Sequence, residues 1–173
     1  MFHQFKNFYD NYFGKGAYIK LTYNKCSVDN LYKYMISNNI PNMINMDDIH
    51  TTLLYTRKAI AGYIPSNKLN GIKVNPLKLD LWKTCDGLNC LVLLIESKDI
   101  SNLHNYIVKQ NKGKHMHNQN IPHITLSYNI DNNFNYKKLQ LPDFDLIIEN
   151  ETIYDLTEKD IKNKYLEITR GII

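Results

Sequence analysis

The sequence predicts an α+β fold whose strands are mostly antiparallel. Short runs with strand-like alternation and segments with helical periodicity follow one another in both halves of the chain. The length of 173 residues suits one hydrophobic core, since single domains usually hold about 100–200 residues. No low-complexity stretch or linker rich in proline and glycine divides the chain. We therefore expect one domain over residues 1–173.

The first half is predicted to run helix, strand, helix, strand. The predicted elements are a helix over 2–13, a strand over 17–23, a helix over 27–38 and a strand over 49–55. Gly14 and Gly16 end the first helix, and the strand that follows alternates apolar and polar residues. Ser27 is the predicted N-cap of the second helix, which places Leu31 and Met35 on its apolar stripe. An irregular stretch then extends to about Gly71.

The second half carries a similar mixture of elements. The predicted elements are strands over 77–82, 91–95, 123–128, 144–153 and 165–170, and a helix over 98–110. Residues 77–82 alternate strictly, with Leu77, Leu79 and Leu81 on the core face. Residues 91–95 are continuously apolar, as in a strand that is buried on both faces. Ser97 is the predicted N-cap of the helix.

Composition favours a small anionic ligand over a long polyanion. Lys and Arg together number 21 against 17 Asp and Glu, a formal net charge of +4. Arg57 and Arg170 are the only arginines, so few phosphate contacts are offered to a long nucleic acid. No apolar run approaches the ~20 residues that cross a bilayer, and the N-terminus lacks the apolar core of a secretory signal. We expect a cytoplasmic protein without membrane or long nucleic-acid partners.

Two similar segments, one in each half, carry the chemistry: 50–55 (HTTLLY) and 123–128 (HITLSY). Side chains on a strand alternate between faces, so the histidine and the threonine two positions later share a face. The four polar side chains displayed in this way are His50, Thr52, His123 and Thr125. Imidazoles titrate near pH 7 and suit coupled general acid and base catalysis, while threonine hydroxyls donate to phosphate oxygens. A single His-x-Thr is usually a surface pair, but two copies favour a catalytic role.

The paired motifs resemble those of the two-histidine (2H) phosphoesterase superfamily, and within it the phage anti-CBASS nucleases. The resemblance also covers residues 15–18 (KGAY), which enter the first strand, and the acidic C-terminal strand. It implies a fold of two pseudo-symmetric lobes of antiparallel sheet with flanking helices around a central cleft. It also implies cleavage of cyclic di- and trinucleotide messengers of bacterial antiviral signalling, without a metal or cofactor, in the host bacterial cytoplasm.

Aromatic and basic side chains on the polar faces of two strands are candidate substrate contacts. Tyr18 and Lys20 share one face of the first strand, and Trp82 lies on the polar face of residues 77–82. An aromatic ring on a polar face is typical of a nucleobase platform, and the resemblance assigns base stacking to Tyr18. The alternative for Trp82 is that it covers a neighbouring helix. Lys20 is expected to attract phosphate.

Two carboxylates are predicted on one face of the strand over 144–153. Glu149 and Glu151 alternate there with Leu146 and Ile148. Such carboxylates can orient an imidazole or accept hydrogen bonds from a base or ribose. The resemblance places a functional glutamate in this strand, and Glu151 is favoured over Glu149.

The remaining histidine and cysteine patterns are weak as metal sites. His115 and His117 form a single HxH pair without a carboxylate or cysteine set nearby, in a segment that is predicted to be a loop over the cleft. Cys85 and Cys90 lack a second pair and are predicted to be core or loop thiols.

The predicted reaction is attack of a ribose 2′-hydroxyl on the adjacent 3′–5′ phosphodiester. His50 is assigned as the base and His123 as the acid, although the pseudo-symmetry of the pair leaves the reverse assignment open. A second hypothesis keeps the fold but takes RNA 2′,3′-cyclic phosphates or 2′–5′ oligoadenylate as substrate. A third, of another class, is a sponge that binds cyclic nucleotides without cutting them. The preferred nucleotide and the oligomeric state are left open.

Overall fold

The computed structural model describes residues 16–57, 60, 62–84, 87–111 and 120–156. Four regions singled out from the sequence lie outside the described residues. They are the helix over 2–13, the strand over 165–170, Cys85, and the His115 and His117 pair.

Six strands and two α-helices make up the described part of the chain. The strands are β1 (Gly16–Tyr23), β2 (His50–Thr56), β3 (Lys73–Lys83), β4 (Asn89–Glu96), β5 (His123–Ser127) and β6 (Leu146–Leu156). The helices are α1 (Lys25–Ser37), between β1 and β2, and α2 (Lys98–Asn111), between β4 and β5. Neither helix is long and apolar enough to cross a membrane.

The strands lie side by side in the order β1-β2-β5-β4-β3-β6, and every neighbouring pair is antiparallel. A short pairing of 73–74 with 146–147 closes the sheet on itself. A pseudo-twofold axis runs between β2 and β5. It relates the first lobe (β6, β1, α1 and β2) to the second lobe (β3, β4, α2 and β5). The α+β fold with two pseudo-symmetric lobes is as predicted.

One face of the sheet, the core face, packs against both helices. Its most deeply buried side chains include Ile19, Leu21, Leu93 and Ile124. Leu31 of α1 and Ile100 of α2 belong to the same buried cluster. The opposite face, the site face, carries the polar residues of both His-x-Thr motifs.

Two local predictions are wrong at the element ends. Helix α1 begins one turn earlier than predicted, because Asn24 is its N-cap and the Asn24 Oδ1 accepts from the Ser27 N–H at 2.9 Å. The Ser27 hydroxyl instead accepts from the Ile147 N–H at 2.9 Å and ties the helix to β6. Leu77, predicted in the core, is 52% exposed because the β3 register shifts between Pro76 and Lys78. The N-cap of α2 is Ser97 as predicted, since its Oγ accepts from the Ile100 N–H at 3.2 Å.

Candidate active site

The two His-x-Thr motifs meet where β2 pairs with β5. Thr51 lies opposite Ile124 in this antiparallel pair. Continued by one residue in each direction, the register sets His50 opposite Thr125 and Thr52 opposite His123. Neighbouring strands lie about 4.8 Å apart, so these four side chains are neighbours on the site face and form one polar patch.

A buried hydrogen-bond chain joins the two strands beneath this patch. The Tyr23 hydroxyl donates to Thr51 Oγ1 at 2.7 Å, and the Thr51 hydroxyl donates to the His123 carbonyl at 3.0 Å. Burial raises the pKa of Tyr23, so its phenol stays protonated. Sequence reasoning missed Tyr23 and Thr51 because both lie on the core face. The feature that could have identified them is a polar group on an otherwise apolar strand face, because the hydrogen bonds of such a group must be made inside the protein.

Both histidines are held in the same tautomer by the backbone. His50 Nδ1 lies 2.6 Å from the Asp48 carbonyl, and His123 Nδ1 lies 2.8 Å from the Ile121 carbonyl. A carbonyl oxygen only accepts, so each Nδ1 donates its proton. In the neutral ring the basic lone pair is therefore on Nε2, the nitrogen turned away from the backbone.

Tyr18 lies on the site face as predicted, but it contacts His50 directly. Its hydroxyl is 2.6 Å from His50 Nε2 and 3.3 Å from Thr52 Oγ1. Burial raises the pKa of Tyr18 to about 12, so at neutral pH the phenol donates to the imidazole. Its ring is only 8% exposed, because Tyr55 and Leu156 pack beside it. The predicted role of Tyr18 in base stacking stays a prediction.

Trp82 lies beside His123, the histidine of the second motif. The two ring centroids lie 4.5 Å apart with the ring planes tilted by 58°. The indole N–H donates to Asp80 Oδ2 at 3.3 Å, which helps to orient the ring. Trp82 therefore lies on the site face, where its ring contacts His123.

Two groups that burial keeps neutral, Cys90 and Tyr128, lie near the second threonine. The Thr125 hydroxyl lowers the pKa of each of these groups, but burial has the larger effect. Burial raises the pKa of Cys90 to about 11 and that of Tyr128 to about 12. Both groups are therefore neutral at pH 7, and the thiol of Cys90 is not a nucleophile there.

Lys20 lies beside Thr52, its partner in the pairing of β1 with β2. Its Nζ is 5.4 Å from the centroid of the Tyr154 ring, which is 48% exposed on the same face. Sequence reasoning missed Tyr154 because the predicted strand ended at residue 153. Plain alternation would have put Tyr154 on the face of Leu146 and Ile148; the register shift next to Thr22 turns it to the site face.

The prediction that Glu149 and Glu151 share a strand face is wrong. The register between β1 and β6 shifts next to Thr22, so that Glu151 lies opposite Leu21, a residue of the core face. Glu151 is 4% exposed, and its carboxylate accepts from the Tyr63 hydroxyl and from the Ser66 N–H and hydroxyl at 3.1 and 3.2 Å. Glu149 is exposed. Glu151 therefore holds the 63–66 segment against the sheet.

Replacing Glu151 by alanine should lower the free energy of unfolding by about 3 kcal/mol. The change leaves three donors of the 63–66 segment without their acceptor, and hydrogen bonds to a charged group contribute about 1.5–3 kcal/mol each. Denaturant unfolding measures the loss, and Glu149→Ala, at an exposed position, is the control with a change below about 0.5 kcal/mol. A Glu151→Ala protein of normal stability whose KM is raised would instead make Glu151 a substrate contact.

The chemistry that this arrangement supports is proton transfer beside a bound phosphate. The two imidazoles and the two threonine hydroxyls lie on one face of the β2–β5 pair, and Nδ1 of each ring is held by a backbone carbonyl. Within the described residues, no three His, Cys, Asp or Glu side chains are grouped so as to hold a metal ion.

The fold has relatives among solved structures. Escherichia coli LigT in its apo form superposes with a TM-score of 0.57 at 14% sequence identity, covering 82% of this chain and 87% of LigT. LigT in complex with phosphate gives a TM-score of 0.56 at 15% identity over the same shares. A structure described as a phosphoesterase gives 0.54 at 14% identity, with 84% and 99% covered. At these identities the likeness concerns the fold.

Sequence relatives are closer. The anti-CBASS protein Acb1 of Enterobacteria phage T4 is 31% identical over 118 residues, which cover 68% of this chain and 75% of that protein. The Acb1 protein of Salmonella phage S16 is 28% identical over 118 residues, with the same shares covered. A family model described as "Anti-CBASS protein Acb1" matches residues 15–164, which include both histidine motifs. The chain therefore belongs to the anti-CBASS protein Acb1 family and has the 2H phosphoesterase fold predicted from its paired motifs.

Proposed function

We propose that this protein is a phosphodiesterase that cleaves 3′–5′ bonds of cyclic di- or trinucleotide messengers and so counters CBASS signalling. The observation that carries the proposal is the meeting of two His-x-Thr pairs at the β2–β5 junction, with both Nδ1 atoms held by backbone carbonyls. The anti-CBASS family supports a role against this defence. The 2H phosphoesterase fold supports phosphodiester chemistry.

His50 acts as the general base. The Tyr18 hydroxyl donates to His50 Nε2, so this nitrogen is unprotonated before substrate binds. A ribose 2′-hydroxyl that takes the place of the Tyr18 hydroxyl gives its proton to Nε2. The 2′-oxygen then forms a bond to the adjacent phosphorus.

His123 acts as the general acid. In its imidazolium form the ring carries a proton on Nε2 while Nδ1 donates to the Ile121 carbonyl, and the Trp82 ring lies beside it. As the bond from phosphorus to the 5′-oxygen breaks, Nε2 protonates that oxygen. Thr52 and Thr125 donate to the non-bridging oxygens, where negative charge builds in the transition state. The product ends in a 2′,3′-cyclic phosphate, which water opens with the roles of the histidines exchanged.

The same residues argue for a small substrate and for a reaction without a metal. Both proton transfers come from imidazoles and the charge on phosphate meets hydroxyl donors, so the proposed steps need no Lewis acid. A net charge of +4 offers few contacts to a long polymer, while a cyclic dinucleotide carries only two phosphates.

The reaction is proposed to take place in the cytoplasm of the infected bacterium, since relatives are phage proteins. One domain over 1–173 is proposed to hold the whole site.

Incubation of the protein with a panel of nucleotides in EDTA should yield cleaved cyclic di- or trinucleotides. The panel includes 2′,3′-cyclic phosphate RNA ends and 2′–5′ oligoadenylate, and products are identified by mass. Cleavage confined to these two would assign the second substrate class instead. Recovery of bound but intact cyclic nucleotides would identify a sponge. Activity that is lost in EDTA and restored by a divalent cation would contradict the metal-free mechanism.

A further inference from the structure

The pseudo-twofold axis pairs residues of the site across the two lobes. It matches His50 with His123 and Thr52 with Thr125. Following the strand registers from these residues gives the equivalent positions on the neighbouring strands of the two lobes. Tyr18 and Cys90 occupy equivalent positions on β1 and β4, each two residues before the partner of a motif threonine. One strand further out, the partner of Cys90 is Trp82 on β3, and the partner of Tyr18 is Tyr154 on β6. The counterpart of Trp82 in the first lobe is therefore Tyr154.

Tyr154 has the exposure of a ligand-binding aromatic residue, and a positively charged side chain lies beside it. Its ring is 48% exposed on the site face, whereas the neighbouring Tyr18 ring is 8% exposed. The two rings lie 6.3 Å apart at an angle of 31°, so Tyr18 supports Tyr154 from beside it. Lys20 Nζ lies 5.4 Å from the Tyr154 centroid and brings a positive charge between this ring and the polar patch.

We propose that Tyr154 is a specificity-determining residue, the platform on which one nucleobase of the substrate stacks, while Trp82 receives a base in the other lobe. The inference rests on the proposed function, since it takes a cyclic dinucleotide as the ligand. β6 lies two strands from β2, and β3 lies two strands from β5, about 10 Å in each case. A cyclic dinucleotide with one phosphate at the β2–β5 junction extends its bases outward in both directions, toward these two rings. Lys20 then pairs with the phosphate nearest Tyr154.

The test measures binding and cleavage separately. The binding probe is a cyclic dinucleotide built on 2′-deoxyribose, which lacks the proposed nucleophile, and the cleavage substrate is the matching ribose compound. Tyr154→Ala should raise the Kd of the probe and the KM of the substrate by about 10- to 100-fold, as loss of one stacked base does, with kcat within about threefold of wild type. Tyr154→Phe keeps the ring and should bind like wild type. Tyr154→Leu keeps apolar bulk without the aromatic face and should resemble the alanine variant.

Matched controls separate stacking from folding. Tyr106, on α2, is an equally exposed tyrosine at 55% on a helix that packs against the core face, and Tyr106→Ala should leave Kd and KM unchanged. Thermal melting confirms that each variant is folded, which is expected because Tyr154 is half exposed. Normal Kd and KM in a folded Tyr154→Ala protein, or a loss confined to kcat, would overturn the platform. If wild type binds cyclic dinucleotides but never cleaves them, and Tyr154→Ala weakens binding, the platform stands and the proposed reaction fails.

Discussion

Replacing His50 or His123 by alanine should lower kcat for cyclic dinucleotide cleavage by about 10²- to 10⁴-fold, the usual contribution of a general acid or base. Each histidine contributes one imidazole to the polar patch, and the described residues place no other imidazole there, since His104 is buried with its Nδ1 hydrogen-bonded to the Leu53 carbonyl. Steady-state kinetics with product analysis measures the loss. The double variant should lose far less than the product of the two single losses, because the pair acts as a unit.

A glutamine at position 50 is the matched control for this result. Its amide can replace a hydrogen bond but cannot exchange a proton near neutral pH, so His50→Gln should be as inactive as His50→Ala. Both variants should bind the 2′-deoxy probe within a few-fold of wild type, since the fold and the base contacts are kept. Near-normal cleavage by His50→Ala would refute the mechanism.

Removing the ribose 2′-hydroxyl at the scissile bond should abolish cleavage without abolishing binding. The 2′-oxygen is the proposed nucleophile, so a cyclic dinucleotide with 2′-deoxyribose offers His50 no proton and phosphorus no attacking atom. Incubation with the deoxy compound, followed by mass analysis, should return it intact, while calorimetry shows that it binds. The ribose compound is the control, and its first product should carry a 2′,3′-cyclic phosphate.

Cleavage of the deoxy compound at a rate comparable to that of the ribose compound would point to direct attack by water. His50 would then activate water, and no cyclic phosphate product would form. The two routes therefore differ in both substrate tolerance and product, which makes the experiment decisive for the role of the 2′-hydroxyl.

The predictions that held depend on short-range rules. Side chains in a strand alternate whatever the strand pairs with, so His50 with Thr52, and His123 with Thr125, were placed on one face correctly. The same alternation placed Trp82 and Lys20 on that face. The strand and helix order followed from periodicity over 5–14 residues, and the paired motifs indicated the 2H phosphoesterase fold.

The predictions that failed depend on pairing between distant segments. Glu149 and Glu151 alternate in the sequence, but a register shift against β1 turns Glu151 to the core face, where Tyr63 and Ser66 donate to it. The cover of Tyr18 by Tyr55 and Leu156, and its hydrogen bond to His50, likewise depend on distant segments, while its role in base stacking stays a prediction. Neither the shift nor the cover leaves a signal in the local sequence.

The sequence by itself determined which residues make up the candidate site: two histidines and two threonines on strand faces, in a chain whose paired motifs resemble those of 2H phosphoesterases. The tertiary structure decided which groups surround these four side chains. Backbone carbonyls select the tautomer of each imidazole, and His50 contacts a phenol whereas His123 contacts an indole. The sheet order places Tyr154 in the first lobe at the position equivalent to that of Trp82 in the second. The physical reason is that alternation is a property of one strand, whereas burial, protonation and partner choice depend on which strands lie side by side.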